Sequence, residues 1–429
     1  MGTPKFIIEI LSSITVFLAG ADQASFEGRM AERTPIDDYF SYFQRVETQM
    51  LKPESKCDHP ATLVPSHLDH LHMDRYVPIL FIYKLNDRSD AFYNQFVNGL
   101  KDSLAKVLVS FYPVAGAVTK TSDPHHPRTI VCDDTGVPFT EAYKDEPLDQ
   151  IVKNHEPVGP LSGLEAAGLF INKQCQEITE SGVPCFVIQV TRFKCGGVCI
   201  GISWNHMLAD MAGAMVILRA WADTARKGET TIVPQLDRTI LSPQHSAESE
   251  PTAPPPLTPE ERAKLEKVLN TRFDRKILHI RKEKIDEVKQ AALQDGFAVS
   301  TTDCLCAHLW RCVSRHIAES GESDVTIFST AVEGRAKMGG TLTSHYIGNV
   351  VVPAFVRNVL ASEIVNKPLV YAARKACEVS LELAAPNLQK RLVYHLTQQF
   401  RPRKFRYASF SSPFFIERLW ADPEFTSLS

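Results

Sequence analysis

The sequence predicts an α/β protein with two domains of similar size, each a mixed β-sheet with flanking helices. A single core rarely grows beyond roughly 250–300 residues, and this chain has 429 residues, 44% of them hydrophobic and 23% charged. Strand-like apolar runs alternate with helix-like periodic stretches along it. A proline-rich stretch at 236–257 divides the chain, so we place the domains at 46–235 and 258–429.

The first 45 residues are predicted to be an N-terminal extension with signal-like features. An apolar run at 6–20 leads into Ala19-Gly20-Ala21, which resembles a signal cleavage site. Glu9 interrupts the run, and the run is shorter than the roughly 20 residues that a spanning helix needs. We expect no stable membrane insertion. The alternatives are a secretory signal, an amphipathic extension, or a start codon placed upstream of the true one, with Met30 as a later candidate.

Helix and strand patterns follow each other in the N-terminal domain. Apolar side chains recur every four residues and predict one helical stripe, formed by Phe92, Phe96, Leu100, Leu104 and Leu108. Two apolar runs at 185–192 and 197–204, joined by a short turn containing Gly196, predict a hairpin of buried strands. A mostly buried helix is predicted at 211–226.

The stretch 236–257 contains five prolines with interspersed serine and glutamate. This composition predicts a semi-stiff tether rather than a helix or a central strand. Thr258-Pro259-Glu260-Glu261 then predicts a helix start, because threonine caps and proline suits the first helical position. Further elements are predicted in the C-terminal domain: a strand at 275–280, a charged surface helix at 282–294, a helix capped by Ser300 that runs through Trp310, and a buried strand at 325–332.

The charge of the chain indicates which partners to expect, and its cysteines indicate the cellular compartment. The formal net charge is −3 and the basic residues are scattered, so we expect no nucleic-acid partner. The ten cysteines do not follow zinc-site spacings. Four of them are predicted to be buried free thiols: Cys199, Cys304, Cys306 and Cys312. Free thiols favour a reducing compartment, and we expect a cytoplasmic protein.

One histidine cluster suggests a metal site. His70-x-His72-x-Asp74 resembles part of the cluster of binuclear metal hydrolases. Arg75 stands where that pattern has its last histidine, and a cation beside a metal is unfavourable. We therefore predict no bound metal.

The most informative segment is His206-Met207-Leu208-Ala209-Asp210, between a predicted strand and a predicted helix. Such a junction can hold an imidazole at the edge of a core, and neutral imidazole accepts a proton near physiological pH. His206 is therefore a candidate general base. The alternative is a histidine at the core edge with Asp210 as the cap of the next helix.

Several further segments occur in the order typical of a known family: Val46-Glu47-Thr48 with Pro53, Ser66-His67-Leu68-Asp69, Leu80-Phe81-Ile82-Tyr83, Phe111-Tyr112-Pro113-Val114-Ala115-Gly116, Leu236-Asp237-Arg238-Thr239-Ile240-Leu241, Ser300-Thr301-Thr302-Asp303 with Trp310-Arg311, Val332-Glu333-Gly334-Arg335, and Tyr346-Ile347-Gly348-Asn349. With these segments the chain resembles the BAHD family of plant-type CoA-dependent acyltransferases, especially its hydroxycinnamoyl transferase branch. The resemblance runs from Val46 to the neighbourhood of Phe405.

The resemblance implies two chloramphenicol-acetyltransferase-like domains and transfer of an acyl group, here hydroxycinnamoyl, from a CoA thioester to a hydroxyl or amine. It implies that His206 is the general base and that Asp210 pairs with Arg335 to hold the loop. The alternative for Arg335 is a solvated surface charge. Acyl-CoA is then a co-substrate, the acceptor is a small molecule, no cofactor is bound permanently, and the protein is a monomer.

By the same resemblance, Ser300, Thr301 and Thr302 contribute to CoA binding. They stand at a predicted helix N-terminus, where hydroxyl and free backbone N–H groups bind anions. The alternative is plain helix capping.

The chain departs from the family pattern at two places. Met211 stands where the family has a glycine after the motif aspartate, so a tight backbone turn there must tolerate a side chain. Residues 409–429 contain no Asp-Phe-Gly-Trp-Gly motif, so we expect a truncated C-terminal domain. The alternatives are a truncated or alternatively spliced product and a gene model with a wrong final exon. The alternative function is a catalytically impaired homologue that binds acyl-CoA or a partner without turnover.

Overall fold

A computed structural model of the chain describes parts of both predicted domains. The described residues are 7–9, 43, 45–56, 58–70, 76–85, 87–123, 126–150, 152–153, 156–157, 169, 182–241, 280, 282–293, 299–320, 325–338, 340–382 and 408–409. The predicted helix start at 258–261, the predicted strand at 275–280 apart from its last residue, and the segment 410–429 lie outside them.

The described chain contains both strands and helices. The strands are β1 (Ile7–Glu9), β2 (Arg45–Leu51), β3 (Thr62–Leu63), β4 (Tyr76–Lys84), β5 (Ala117–Lys120), β6 (Arg128–Val131), β7 (Val137–Lys144), β8 (Val152–Lys153), β9 (Glu156–Pro157), β10 (Val183–Pro184), β11 (Phe186–Phe193), β12 (Gly197–Asn205), β13 (Val325–Glu333), β14 (Val351–Leu360) and β15 (Ala408–Ser409). The helices are α1 (His67–His70), α2 (Asp90–Ser110), α3 (Met211–Lys227), α4 (Lys282–Ala292), α5 (Thr301–Ser320), α6 (Ala361–Asn366) and α7 (Leu369–Glu382). Of the helices in the described ranges, none combines the length and apolar composition needed to cross a bilayer.

The larger sheet has six strands in the order β1-β4-β12-β11-β7-β2. It is mixed, as predicted, because β11 runs parallel to β7 while the other neighbours are antiparallel. The predicted hairpin is β11 and β12, with Phe186 opposite Trp204. Gly196 in its turn adopts the left-handed conformation at φ 81°, which glycine reaches without steric cost. A second, smaller sheet joins β10, β5, β6 and β3.

Strand β12 is central to the first core, and all nine of its residues are buried. Helices α2 and α3 contribute to the same apolar cluster as β12. Trp221 of α3 joins the two helices, since its Nε1 donates to the backbone oxygen of Leu100 at 3.0 Å. Both ends of the segment 206–210 are therefore anchored, in a buried strand before it and a packed helix after it.

The apolar stripe predicted for α2 is only partly buried. Leu104 and Leu108 are fully buried, whereas Phe92 is 37% exposed. A step of four residues rotates the helix by about 400°, so the stripe moves by about 40° at each step. At the first turns, Tyr93 and Val97 are the residues that face the core instead.

The C-terminal half forms a second core around the sheet β14-β13-β15. Trp310 of α5 stacks on Phe328 of β13, and its Nε1 donates to Thr326 Oγ1 at 2.9 Å. The helix predicted to run from Ser300 through Trp310 continues to Ser320. The two cores support the expected two-part architecture.

The tether does not begin at residue 236, contrary to the predicted boundary. Residues 236–241 are packed: Leu236 lies against the first core, Arg238 is 3% exposed, and Thr239–Leu241 forms a 3-10 turn. The prolines of the predicted tether begin only at Pro243, and Arg238 and Leu241 before them are buried.

One smaller prediction, the burial of Cys312, also differs from the structure. Cys312 is exposed, while Cys304 and Cys306 on the same helix are buried. Cys312 lies three or four positions from His308, Arg315 and His316, which are all exposed, so it belongs to the solvent face of the helix. Strand β1, inside the predicted extension 1–45, pairs with β4 at the edge of the larger sheet.

Candidate active site

Residues 206–210 form a loop between the end of β12 and the start of α3. Three of its backbone groups are held from within: Trp204 Nε1 donates to the oxygen of Ala209 at 3.0 Å, and Asn205 accepts from the N–H groups of Met207 and Leu208. Met207, Leu208 and Ala209 are fully buried, and His206 is half-buried. The strand therefore presents one imidazole from an otherwise buried loop.

Asp210 ends the loop, and both of its carboxylate oxygens accept two hydrogen bonds. Oδ1 accepts from Gly213 N and Arg335 Nη2, both at 2.8 Å. Oδ2 accepts from Arg335 Nη1 at 3.0 Å and from Val350 N at 2.9 Å. Asp210 thus caps α3, as the capping interpretation expected, and also binds Arg335 with two parallel hydrogen bonds.

Arg335 is a buried cation and not a solvated one. Its guanidinium also donates to the backbone oxygens of Tyr346 and Gly348 and to the carboxylate of Glu333. Burial alone would lower the pKa of Arg335, but the charge and hydrogen bonds of Asp210 outweigh burial and raise it. The pair is charged on both sides and connects the His206 loop to the C-terminal half of the chain.

The imidazole of His206 contacts the side chain of Asn349. The Nδ1 atom lies 2.9 Å from Asn349 Oδ1. Asn349 Nδ2 donates to the oxygen of His206 and to Asp69 Oδ1, both at 2.8 Å. A carboxylate and a carbonyl oxygen accept and never donate, so the atom facing them must be the NH2 group. Oδ1 is then an acceptor, the proton of a neutral ring is on Nδ1, and Nε2 carries the lone pair.

Asp69, at the end of a different segment, is fully buried beside Asn349. Its Oδ1 accepts from both nitrogens of Asn349, and its Oδ2 accepts from Ser66 and pairs with Arg238. Burial would raise the pKa of Asp69, but the charge of Arg238 and the hydrogen bonds of Asn349 and Ser66 together hold it below its ordinary value. Asp69 and Arg238 form a second buried ion pair next to the loop.

Sequence reasoning gave no role to Asp69, Arg238 or Asn349, although all three lie in segments that match the family. The signal in the sequence was a charged residue within a partly apolar segment, and both Asp69 and Arg238 are buried in the structure. Nothing in the local pattern indicates that Asp69 contacts a residue 280 positions away.

The residues assigned to CoA binding lie at the start of α5. Ser300 Oγ donates to Asp303 Oδ2 at 2.7 Å and accepts from Asp303 N at 3.1 Å, which is a reciprocal helix cap. Thr301 is half-buried and Thr302 is buried. The contacts of Ser300 are those of the capping alternative, and the acidic Asp303 opposes a phosphate at this helix end.

Met211 occupies an ordinary helical position as the first residue of α3. Among the described non-glycine residues, only Asp134 has a positive φ. Met211 therefore has an ordinary φ, and its backbone is not strained. The small residue is needed two positions later, since a Cβ on Gly213 would lie 3.0 Å from Ala209 Cβ and 3.3 Å from backbone atoms of Gly348. The tight approach expected at Met211 therefore occurs at Gly213.

No metal-binding group of three or more histidine, cysteine or acidic residues is found within the described ranges. His70 lies beside His126, with ring centroids 5.7 Å apart. His72 and Asp74 of the hydrolase-like pattern lie outside the described residues.

Removing one partner of the Asp210–Arg335 pair should lower the free energy of unfolding by about 3–5 kcal/mol, because it leaves a buried charge unpaired. Urea denaturation of Arg335→Ala measures this loss. The control is Asp90→Asn, which removes the exposed partner of Arg192 and should cost less than about 1 kcal/mol. Full stability combined with lost turnover in Asp210→Asn would instead give Asp210 a direct chemical role.

The lowered pKa of Asp69 predicts a specific loss of stability in acid. Its contribution is complete above the pKa of an unfolded aspartate, about 3.9, and is lost as the pH falls through the lower folded-state pKa. Wild type should therefore lose more stability than Asp69→Asn between about pH 6 and about pH 3. Urea unfolding at each pH gives the difference, and parallel curves for the two proteins would contradict it.

Comparison with known proteins identifies the family of the chain. A family model described as "Transferase family" matches residues 44–406. Shikimate O-hydroxycinnamoyltransferase of Nicotiana tabacum is 30% identical over 363 residues, which cover 81% of this chain and 78% of that protein. Rosmarinate synthase of Plectranthus scutellarioides is 29% identical and covers 77% of this chain and 74% of that protein.

Solved structures show the same fold. Vinorine synthase superposes with a TM-score of 0.67 and 24% identity, over 86% of this chain and 83% of that chain. TRI101 of F. graminearum, solved with coenzyme A and T-2 mycotoxin, gives a TM-score of 0.55 and 19% identity, over 78% of this chain and 77% of that chain. The chain therefore belongs to the Transferase family, that of the CoA-dependent BAHD acyltransferases.

Proposed function

We propose that the protein transfers a hydroxycinnamoyl group from its CoA thioester to a hydroxyl or amine of a small molecule, with His206 as the general base. The observation that carries the proposal is the contact of His206 Nδ1 with Asn349 Oδ1. This contact assigns the ring proton to Nδ1 and leaves Nε2 as the proton acceptor.

The acyl transfer needs no reactant besides the thioester and the acceptor. Nε2 of His206 removes the proton of the acceptor hydroxyl or amine while its oxygen or nitrogen attacks the thioester carbonyl carbon. The tetrahedral intermediate collapses as the carbon–sulfur bond breaks. The imidazolium then returns the proton to the departing CoA thiolate, which leaves as CoA-SH. A covalent acyl-enzyme is not needed, because the thioester is already an activated acyl donor.

Asp210 and Arg335 support this chemistry as positioning residues in the proposal. Both oxygens of Asp210 are occupied by Arg335 and by the N–H groups of Gly213 and Val350. These contacts fix the end of the loop and the start of α3. They therefore support a role in aiming the imidazole.

The choice of acyl group rests on the relatives. One relative is named a shikimate O-hydroxycinnamoyltransferase and another a rosmarinate synthase. We therefore propose p-coumaroyl-CoA as the first donor to test, with a panel of alcohols and amines as acceptors. The shape of the pocket, and not the fold, decides which acceptor is used.

We further propose a monomeric protein in a reducing, cytoplasmic environment. The cysteines described in the structure are all free thiols, and five of them are buried. Buried free thiols persist where glutathione and thioredoxin keep cysteines reduced.

His206→Ala should lower CoA release from p-coumaroyl-CoA by about 10²–10⁴-fold in the presence of a working acceptor, because it removes the general base. Release is measured with a thiol-reactive chromophore. The control is His316→Ala, which removes an exposed histidine of α5 and should leave turnover unchanged. CoA release that is insensitive to His206→Ala would contradict the mechanism, and donor binding without any release would favour the binding-protein alternative.

We also propose that the start of α5 contacts CoA through Ser300, Thr301 and Thr302, and two variants separate this from capping. Ser300→Ala should raise KM for acyl-CoA by about threefold or more, while Asp303→Asn should lower it by removing a charge that repels phosphate. Both variants weaken the same reciprocal cap, Ser300→Ala by removing the hydroxyl and Asp303→Asn by removing the charge of the acceptor. An unchanged KM in both, with equal losses in thermal stability, would leave capping as the full explanation.

A further inference from the structure

We propose that the buried Asp69–Arg238 pair is a positioning element that fixes the tautomer of His206, acting through the side-chain amide of Asn349. The inference rests on the proposed function for its catalytic meaning, since the tautomer matters when Nε2 is the base. The structural statement itself, that one ion pair selects one protonated ring nitrogen, is independent of turnover.

The first step is the orientation of the Asn349 amide. Asp69 Oδ1 accepts from the backbone N and from Nδ2 of Asn349, both at 2.8 Å. An ionised carboxylate has no proton to donate, so the opposite amide orientation would place two acceptor oxygens against each other in a buried site. The backbone oxygen of His206 accepts from the same Nδ2 at 2.8 Å, so Asp69 supplies the charged one of two acceptors that hold this orientation. Asn349 Oδ1 is therefore directed to the Nδ1 atom of His206.

The second step is the state of the Asp69 carboxylate. Arg238 is buried, with 3% of its surface exposed, and its Nη1 contacts Asp69 Oδ2. Ser66 donates to the same oxygen through its backbone N at 2.7 Å and its hydroxyl at 2.8 Å. These groups hold the pKa of Asp69 below its ordinary value in spite of burial. The carboxylate is therefore ionised at neutral pH and acts only as an acceptor.

The third step is a direct link from Arg238 to the loop. Arg238 Nη2 donates to the backbone oxygen of Leu208 at 2.7 Å, and Nη1 lies 3.4 Å from that of Met207. One guanidinium thus binds the carboxylate that orients Asn349 and also the backbone that follows His206. The position of the ring and the position of its hydrogen-bond acceptor are set by the same group.

The two buried pairs differ in what they fix. Arg335 and Asp210 hold the end of the loop and the start of α3. Asp69 and Arg238 contact the amide that faces the imidazole. The first pair is therefore assigned to the path of the backbone and the second to the protonation of one ring nitrogen.

The test replaces the pair by uncharged side chains of similar size, Asp69→Leu with Arg238→Met, so that no buried charge is left unpaired. Imidazole ¹⁵N NMR distinguishes a protonated from an unprotonated ring nitrogen, and the His206→Gln spectrum assigns the signals of His206. In wild type, Nδ1 of His206 should be protonated and Nε2 unprotonated. The double variant, and Asn349→Leu, should show a mixture of tautomers, with kcat lower by about tenfold or more and KM for acyl-CoA within about threefold.

The matched control is Lys101→Met with Glu141→Leu, which removes a partly buried ion pair between α2 and β7 and should leave the tautomer unchanged. If the double variant does not fold, Ser66→Ala weakens the same carboxylate contact and should give a smaller but measurable second tautomer. An unchanged tautomer in a folded Asp69/Arg238 variant would overturn the inference. Wild type without turnover would overturn the proposed function alone, because the NMR result does not depend on activity.

Discussion

The contact between Asp210 and Arg335 is the constraint on which the site depends. Two charges removed from water stabilise a structure only when their geometry is good and their remaining donors and acceptors are satisfied. Asp210 accepts four hydrogen bonds, and Arg335 donates to three further acceptors. One partner follows β12 in the first half and the other follows β13 in the second. A displacement of either half would leave both charges poorly paired, so the pair fixes where His206 lies.

Charge balance around the imidazole follows from the same arrangement. An unpaired carboxylate beside an imidazole favours its protonated form, which cannot act as a base, and an unpaired cation nearby favours the neutral form. Asp69 and Asp210 each have a buried arginine of their own, Arg238 and Arg335. The two carboxylates can therefore shape the loop by hydrogen bonding without imposing a net charge on it.

Local sequence patterns predicted most of the strands and helices of the N-terminal half. The buried charged residues that they did not predict depend on contacts between distant parts of the chain. The β11–β12 hairpin and α3 follow from apolar runs whose burial is decided within a few residues, and the family pattern predicted that Arg335 faces Asp210. The burial of Asp69 and Arg238 was not predicted, because a charged residue is expected at the surface unless its partner is known. Their partners are distant in sequence, and the proline-rich composition after Arg238 placed that residue in a tether.

The use of an amide and not a carboxylate as the partner of His206 suits transfer from a thioester. A carboxylate at Nδ1 stabilises the imidazolium strongly, and a strongly stabilised imidazolium returns its proton reluctantly. In the proposed mechanism the proton passes to a departing thiolate. An ordinary thiol has a pKa of about 8.5, above the roughly 6.5 of imidazole, so the thiolate takes the proton readily unless the imidazolium is strongly stabilised. Asn349 selects the tautomer through one neutral hydrogen bond and leaves the charge of Asp69 one residue further away. If His206 is the base, as proposed, this arrangement orients it and keeps its proton easy to give back.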